Sequence, residues 1–253
     1  MISGFYDAGG AMRTYSDRND IIANNLANVS TPGFKKESVY VEPFDVLFAR
    51  VTQPVADEEG LVQPPLGRLR TDAVTVYTPG PVRPTGGRFD LAINGDGFFK
   101  VQTPAGTRYT RNGAFLLDGE GRLVTADGYE VLGEGSTSIV IDTSEGTDVV
   151  IAADGAITAG GAPGGRVALV DFETPYPLRK VGQNLFEVTS EDAVETASGS
   201  PIVQGSLEMS NVNVVEEMVG LITNYRAYEI AQRMARLQDQ TLEQAISVVG
   251  SAS

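Results

Sequence analysis

Apolar and polar positions fall into three regimes along the chain. From residue 4 to 28, Phe5, Ala8, Met12, Tyr15, Asn19, Ile22 and Leu26 recur at alternating steps of three and four. That spacing predicts a helix with a heptad-type seam and one polar member, Asn19. Gly9 and Gly10 weaken it, at roughly 1 kcal/mol each relative to alanine, and Pro32 and Gly33 stop the run abruptly. A longer helix is predicted over 208–249. There Val214, Leu221, Tyr228, Ala235, Leu242 and Val249 stand seven apart. The companion position holds Met218, Tyr225, Gln232, Asp239 and Ile246, and a neighbouring stripe of Ala227, Ile230, Met234, Leu237, Ala245 and Val248 is apolar as well. This helix has more than one adhesive face, and a single partner helix covers only one of them.

Between the helices the period falls to two. "FDLAINGDGFFKVQT" and "RYTRNGAFLLDGEGRLVTADGYEVLG" are punctuated at Asn94-Gly95, Asp96-Gly97, Asn112-Gly113, Asp118-Gly119, Glu120-Gly121 and Asp127-Gly128. "VVIAADGAITAGG" adds Asp154-Gly155, and "GRVALVDFE" and "NLFEVTS" supply further strands. Such dipeptides accept positive φ and predict tight hairpins. Residues 37–68 show no clean period, and "PVADEEGLVQPPLG" predicts an extended linker. The expected class is α+β: N- and C-terminal helices forming a coiled-coil-like domain around a central, mainly antiparallel β domain. The divisions fall at 1–36 (helix and turn), 37–68 (linker), 69–206 (β domain) and 207–253 (helix). Two terminal helices that pair with each other leave apolar faces exposed, and such faces mark interaction sites.

Composition narrows the chemistry. The 29 glycines among 253 residues suit many short strands, since ~7% is usual. The net charge is −14, and residues 51–207 carry −10 of it. Such a surface argues against a nucleic-acid partner, whose phosphates need basic patches. There is no Cys, His or Trp, which removes disulfides, thiolate metal sites and the commonest general base. "DGEGRLVTADG" lacks the ligand alternation of a calcium loop, and "NGDGFF" matches no phosphate cradle. No metal or cofactor is expected. Carboxylates alone leave a two-carboxylate glycosidase or a secreted carbohydrate-binding β protein open. Such sites usually also need aromatic sugar platforms, and an enzyme gains little from adhesive helices at both ends. A stand-alone oligomeric adhesin is a third option. The start lacks a basic stretch followed by an apolar run, and no segment approaches a ~20-residue membrane span. No cleaved signal and no membrane insertion are expected.

The asparagines of "IIANNLANVSTPGFKK" and "EMSNVNVVEEM" fall in helix-like runs, although asparagine is a poor helix former and seldom sits on a buried helical face. Capping accounts for part of them, with Ser210 or Asn211 as N-cap of the second helix and Asn28 near the end of the first. Buried asparagines at a helical interface would also fix register.

"DIIANNLANVSTPGFKK" together with "GSLEMSNVNVVEEMVGLITNYRAYEIAQRM" closely resembles the terminal signatures of the flagellar rod and hook axial proteins. "LAINGDGFFKVQ", "YTRNGAFLLDGEGRLVTADGYEVLG" and "VGQNLFEVTS" resemble the β domain of the same family. The resemblance covers nearly the whole chain. It implies a non-enzymatic structural subunit of the basal-body rod, with terminal helices in an inner coiled-coil tube and the β domain facing outward. It implies export through the flagellar type III apparatus without a cleaved signal, and a rod spanning the periplasm. Its partners would be other rod proteins and copies of itself in a helical assembly. "GLVQPPLGRLRTDAVTVYTPG" lacks the Gly-rich stretch typical of distal-rod sequences, so the resemblance favours the proximal-rod type, with the distal-rod type as the alternative. The assembly interface is expected at Ile22, Asn25, Leu26, Asn28, Pro32, Gly33 and Phe34, with Asn211, Val212, Asn213, Met218, Leu221, Tyr225 and Tyr228. Apolar members would supply burial and asparagines register, while Pro32 and Gly33 would turn the chain out of the tube.

Overall fold

The computed structural model describes residues 2–41, 71–142, 148–182, 184–190 and 193–251. Side chains at 2–7, 40, 41, 71, 72, 242 and 245–251 lie outside that set. Residues 42–68 of the expected linker are therefore outside the described residues, as are the side chains of Phe5, Leu242, Ala245, Ile246, Val248 and Val249. The chain divides into two compact units. One comprises Met1–Ala27, Glu37–Val74 and Asn213–Ser253, the other Asn28–Lys36 and Thr75–Val212.

The helical unit contains α1 (Ile2–Ala27) and α2 (Val214–Ser251). The two run antiparallel. Asn25 meets Glu217, the Ile22 Cδ1 lies 3.7 Å from where a Cβ on Gly220 would stand, and Asn19 meets Asn224. α2 starts at Val214 rather than at 208, because Ser206–Glu208 is a strand paired with Val82–Pro84. Its N-cap is Asn213, not Ser210 or Asn211. The Asn213 side-chain oxygen accepts the backbone N–H of Val215 at 3.1 Å and of Glu216 at 3.4 Å. Glu216 and Glu217 in the first turn complement the helix dipole. Residues 37–41, at the head of the expected linker, form a strand paired with Thr71–Thr75.

In the other unit the pairings are antiparallel. The largest sheet runs in the order Leu178–Val181, Leu185–Val188, Gly106–Thr110, Phe98–Thr103, Glu130–Val131, Leu123–Thr125, Phe115–Leu117. A three-stranded sheet over 149–166 and the pair Leu91–Ile93 with Ile202–Gln204 complete the frame. Leu91, Phe99, Val101, Leu123, Val131 and Ile157 fill one core. Phe98, Tyr109, Phe172 and Phe186 fill a second, with edge-on ring contacts such as Tyr109–Phe172 at 5.0 Å and 90°.

The Asp-Gly turns at 118, 127 and 154 join paired strands, as hairpins should. Asp118 Oδ1 accepts the N–H of Glu120 and of Arg122, and these bonds with the Arg122 side chain hold its carboxyl below the usual range. No cluster of potential metal ligands occurs among the described residues. Both Asn-Gly pairs depart from expectation. Asn94-Gly95 leads from a strand paired with 202–204 to one paired with 106–110. Asn112-Gly113 leads into Phe115–Leu117, which pairs onward with Leu123–Thr125. At Gly113 a Cβ would stand 1.7 Å from the Leu91 carbonyl oxygen, so close backbone approach, not a hairpin, requires the glycine.

Candidate functional site

The turn that ends the N-terminal signature is built into the β unit. Thr31 N–H donates to the Asn28 carbonyl at 3.1 Å, and the Thr31 hydroxyl donates to Asn28 Oδ1 at 3.2 Å. Gly33 follows at φ +69°, with its N–H on the Glu208 carbonyl at 2.8 Å. A Cβ there would lie 2.3 Å from the Asn112 nitrogen and 2.4 Å from the Arg111 carbonyl carbon. Phe34 is buried, with Lys180 Nζ 3.6 Å above its ring centroid. Asn211 fastens the neighbouring chain: it accepts Lys36 N–H at 2.7 Å and donates to the Val76 carbonyl at 2.8 Å.

Lys35, Arg111 and Glu208 converge here, each 1% exposed. Lys35 Nζ lies 2.6 Å from Glu208 Oε1, and Arg111 Nη1 lies 3.2 Å from Glu208 Oε2. Gly80 N–H donates to Glu208 at 2.9 Å, Lys35 to the Thr78 carbonyl at 2.9 Å, and Arg111 to the Gly95 carbonyl at 2.8 Å. Burial pushes the Lys35 ammonium below its ordinary pKa, against the opposing attraction of Glu208. Three stretches far apart in sequence, "TPGFK", "YTRNG" and "SLEMSN", are thus locked by one carboxylate shared between two cations. A Gly33→Ala variant is expected to lose its native turn. Left-handed strain costs about 1–3 kcal/mol and overpacking about 1–3 kcal/mol more, read as a lowered urea midpoint with the far-UV spectrum of the remaining fold retained.

In the helical unit, α2 buries polar side chains against α1 and leaves several large apolar ones exposed. The positions turned to α1 include Glu217, Asn224 and Ala231, all buried, and half-buried Gln238, seven apart. Asn25 Nδ2 donates to Glu217 at 3.4 Å and to the Glu37 carbonyl at 2.8 Å. Asn224 Nδ2 donates to the Tyr15 carbonyl and to Asn19 Oδ1, both at 2.7 Å. Ala8 and Ile22 are buried on α1, with Met12, Tyr15, Asn19 and Leu26 half-buried. Outward, by contrast, stand Val215, Met218, Val219, Ile222, Tyr225, Ile230, Met234 and Leu237, at 50 to 69% exposure.

The predicted interface residues divide accordingly. Asn28, Pro32, Gly33, Phe34, Asn211 and Val212 belong to the β unit. There Asn28, Gly33, Phe34 and Val212 are buried, and Pro32 and Asn211 half-buried. Ile22, Asn25, Leu26, Leu221 and Tyr228 are buried or half-buried in the helical unit. Asn213, Met218 and Tyr225 face outward. Val215, Val219 and Ile222 were absent from the prediction, although they share the Met218–Tyr225 face. Lys35, Arg111 and Glu208 were absent too, since no spacing links them.

The β unit has a groove of about 520 Å³, lined by Lys100, Glu134, Asp154, Arg166 and Glu195 among others. Its acids are engaged: Glu195 with Lys100 at 2.7 Å, Asp154 with Arg166 at 2.8 Å, and Glu134 with Arg166 at 3.3 Å. Burial acts to raise the Glu195 pKa, but hydrogen bonds from Lys100 and Tyr109 outweigh it and hold the carboxyl low. A glycosidase acid needs the opposite shift. No aromatic side chain lines the groove among the described residues.

The family described as flagella basal body rod protein matches residues 5–35, and that described as flagellar basal body rod FlgEFG protein C-terminal matches 203–248. The flagellar hook protein FlgE/F/G D1 domain matches 92–159. The chain is 40% identical to the flagellar basal-body rod protein FlgF of Caulobacter vibrioides, over 91% of this chain and 89% of that one. It is 30% identical to the rod protein FlgG of Bacillus subtilis over 98% and 99%, and 31% identical to FlgF of Mesorhizobium japonicum over the full length of both. With segments at both ends and residues 92–159 of the β unit matched, and with relatives at 30 to 40% identity over nine-tenths or more of its length, the chain belongs to the flagellar basal-body rod protein family of the FlgF/FlgG type.

Proposed function

We propose that this chain is a structural, non-enzymatic subunit of the flagellar basal-body rod, and that it assembles through the outward face of its terminal helices. One observation carries the reading. α2 turns Glu217 and Asn224 inward and Met218, Val219, Ile222 and Tyr225 outward. A monomer gains nothing from that arrangement, whereas an assembly buries the outward apolar groups at about 1.5–3 kcal/mol each. In the rod these helices form the coiled-coil-like axial part, and neighbours include other rod proteins and copies of this chain. On this reading the subunit reaches the periplasmic rod through the flagellar export apparatus. No helix among the described residues is long and apolar enough to cross a membrane.

The proximal-rod, FlgF-type position is favoured. The 40% identity to the Caulobacter FlgF supports it, against 30 to 35% for FlgG relatives, while the Mesorhizobium FlgF at 31% falls in the same range as they do. Complementation tests the assignment. Introduced into Caulobacter vibrioides lacking its own FlgF, this chain is expected to restore swimming, and in a strain lacking FlgG it is expected not to. Restoration in the second strain alone would reverse the assignment.

A further inference from the structure

The outward side of the helical unit has two unlike parts. Towards the start of α2, an open groove of about 560 Å³ lies between α1 and α2, lined by Ala23, Leu221, Ile222 and Tyr225 together with Asp20 and Glu229. Arg226 is the one cation lining it among the described residues. Further along α2, Ile230, Met234 and Leu237 form an exposed ridge at steps of four and three, at 61, 53 and 61% exposure. Arg233 and Arg236 are exposed beside it. Among the described residues none of Asp20, Glu229, Arg233 and Arg236 has an ion-pair partner.

Groove and ridge match in length and charge. At 1.5 Å rise per residue, Leu221 to Glu229 spans about 12 Å and Ile230 to Leu237 about 10 Å. The groove has two acids against one cation, and the ridge has two arginines. The ridge and the α2 wall of the groove lie on one continuous helix, so they cannot meet within a molecule. We propose that the Ile230–Met234–Leu237 ridge of one copy seats in the Ala23–Leu221–Ile222 groove of a second copy, with Arg233 and Arg236 facing Asp20 and Glu229. The partner is therefore a second copy of this chain. Because the two surfaces differ, the contact is head-to-tail and generates rings or open helical lines, not closed twofold dimers. This rests on the reading of the outward α2 face as an assembly surface, and it adds the pairing.

The chain contains no cysteine, so introduced thiols report without background. Ala23→Cys and Met234→Cys are placed together in the full-length protein, which is concentrated until sedimentation shows assembly and then treated with a short bis-maleimide. The expected result is a covalent ladder extending beyond dimer from the double variant and none from either single variant. Asp20→Arg should cut species beyond dimer at least tenfold, and Arg233→Asp in the same chain should restore them. Assembly without the 23–234 ladder overturns the pairing but leaves the assembly face standing. Dimers from Met234→Cys alone would mean a twofold contact and also overturn it. A chain that stays monomeric at millimolar concentration overturns both the pairing and self-assembly through this face.

Discussion

A Glu208→Gln variant is expected to lose about 3–5 kcal/mol of stability, the usual result of removing one partner from a buried ion pair. Total stabilities run about 5–15 kcal/mol, so the loss is a large fraction of the whole. Lys35 and Arg111, each 1% exposed, would be left without their counter-charge. Glutamine keeps the size and can still accept from Gly80, so the cost is electrostatic and not a cavity. The pH dependence gives a second signature. Burial already lowers the Lys35 pKa, and Glu208 is the largest opposing influence. Without it the folded-state pKa falls further below the unfolded value. Between those two values the unfolded chain binds more protons, so stability rises with pH. The variant should therefore recover part of its loss as pH is raised towards the unfolded lysine pKa, more steeply than the parent. Urea unfolding across that range, followed by tyrosine signals, reads both effects. A midpoint unchanged from the parent would show that the node contributes no net stability.

Gly33 and Lys35 show how far local reasoning reaches. Pro32-Gly33 was legible as a stop, because both residues are poor helix continuers. What lies against Gly33, the Arg111–Asn112 peptide, was not, since it arrives from seventy-eight residues away. Lys35, Arg111 and Glu208 each sit in otherwise ordinary polar stretches, and only the folded chain brings them together. The Asp-Gly hairpins at 118, 127 and 154 were readable because their partner strands are adjacent in sequence. Asn94-Gly95 and Asn112-Gly113 misled for the converse reason: the flanking strands pair elsewhere, with 202–204 and 123–125. On α2 the abundance of apolar positions was plain, but which face meets α1 was not. Asn19, Asn25, Asn224 and Glu217 decide it through hydrogen bonds that a hydrophobic count ignores.

Replacing Val219 and Ile222 together by aspartate is expected to abolish rod incorporation and swimming while leaving the monomer folded. Both side chains are more than half exposed, at 59 and 56%. Substitutions at such positions usually change stability by no more than about 0.5 kcal/mol. Leu221→Asp would be a poorer probe. Leu221 is half-buried between the helices, so a loss of swimming there could come from disrupting the helix pair. If assembly buries the outward face, the double variant forfeits about 1.5–3 kcal/mol of burial at each position and forces two carboxylates out of water as well. Removing an unpaired charge from water costs several kcal/mol more, so incorporation should fail completely and not merely slow. Val194→Asp supplies the control. It is an exposed valine at 72%, in the β unit and not in the helical unit that carries this face, and the variant strain should swim normally. Circular dichroism of the purified double variant should match the parent, which separates failed assembly from failed folding. A folded Val219→Asp, Ile222→Asp protein that still builds rods and supports normal swimming would show that the apolar side of α2 is not what holds neighbouring subunits together.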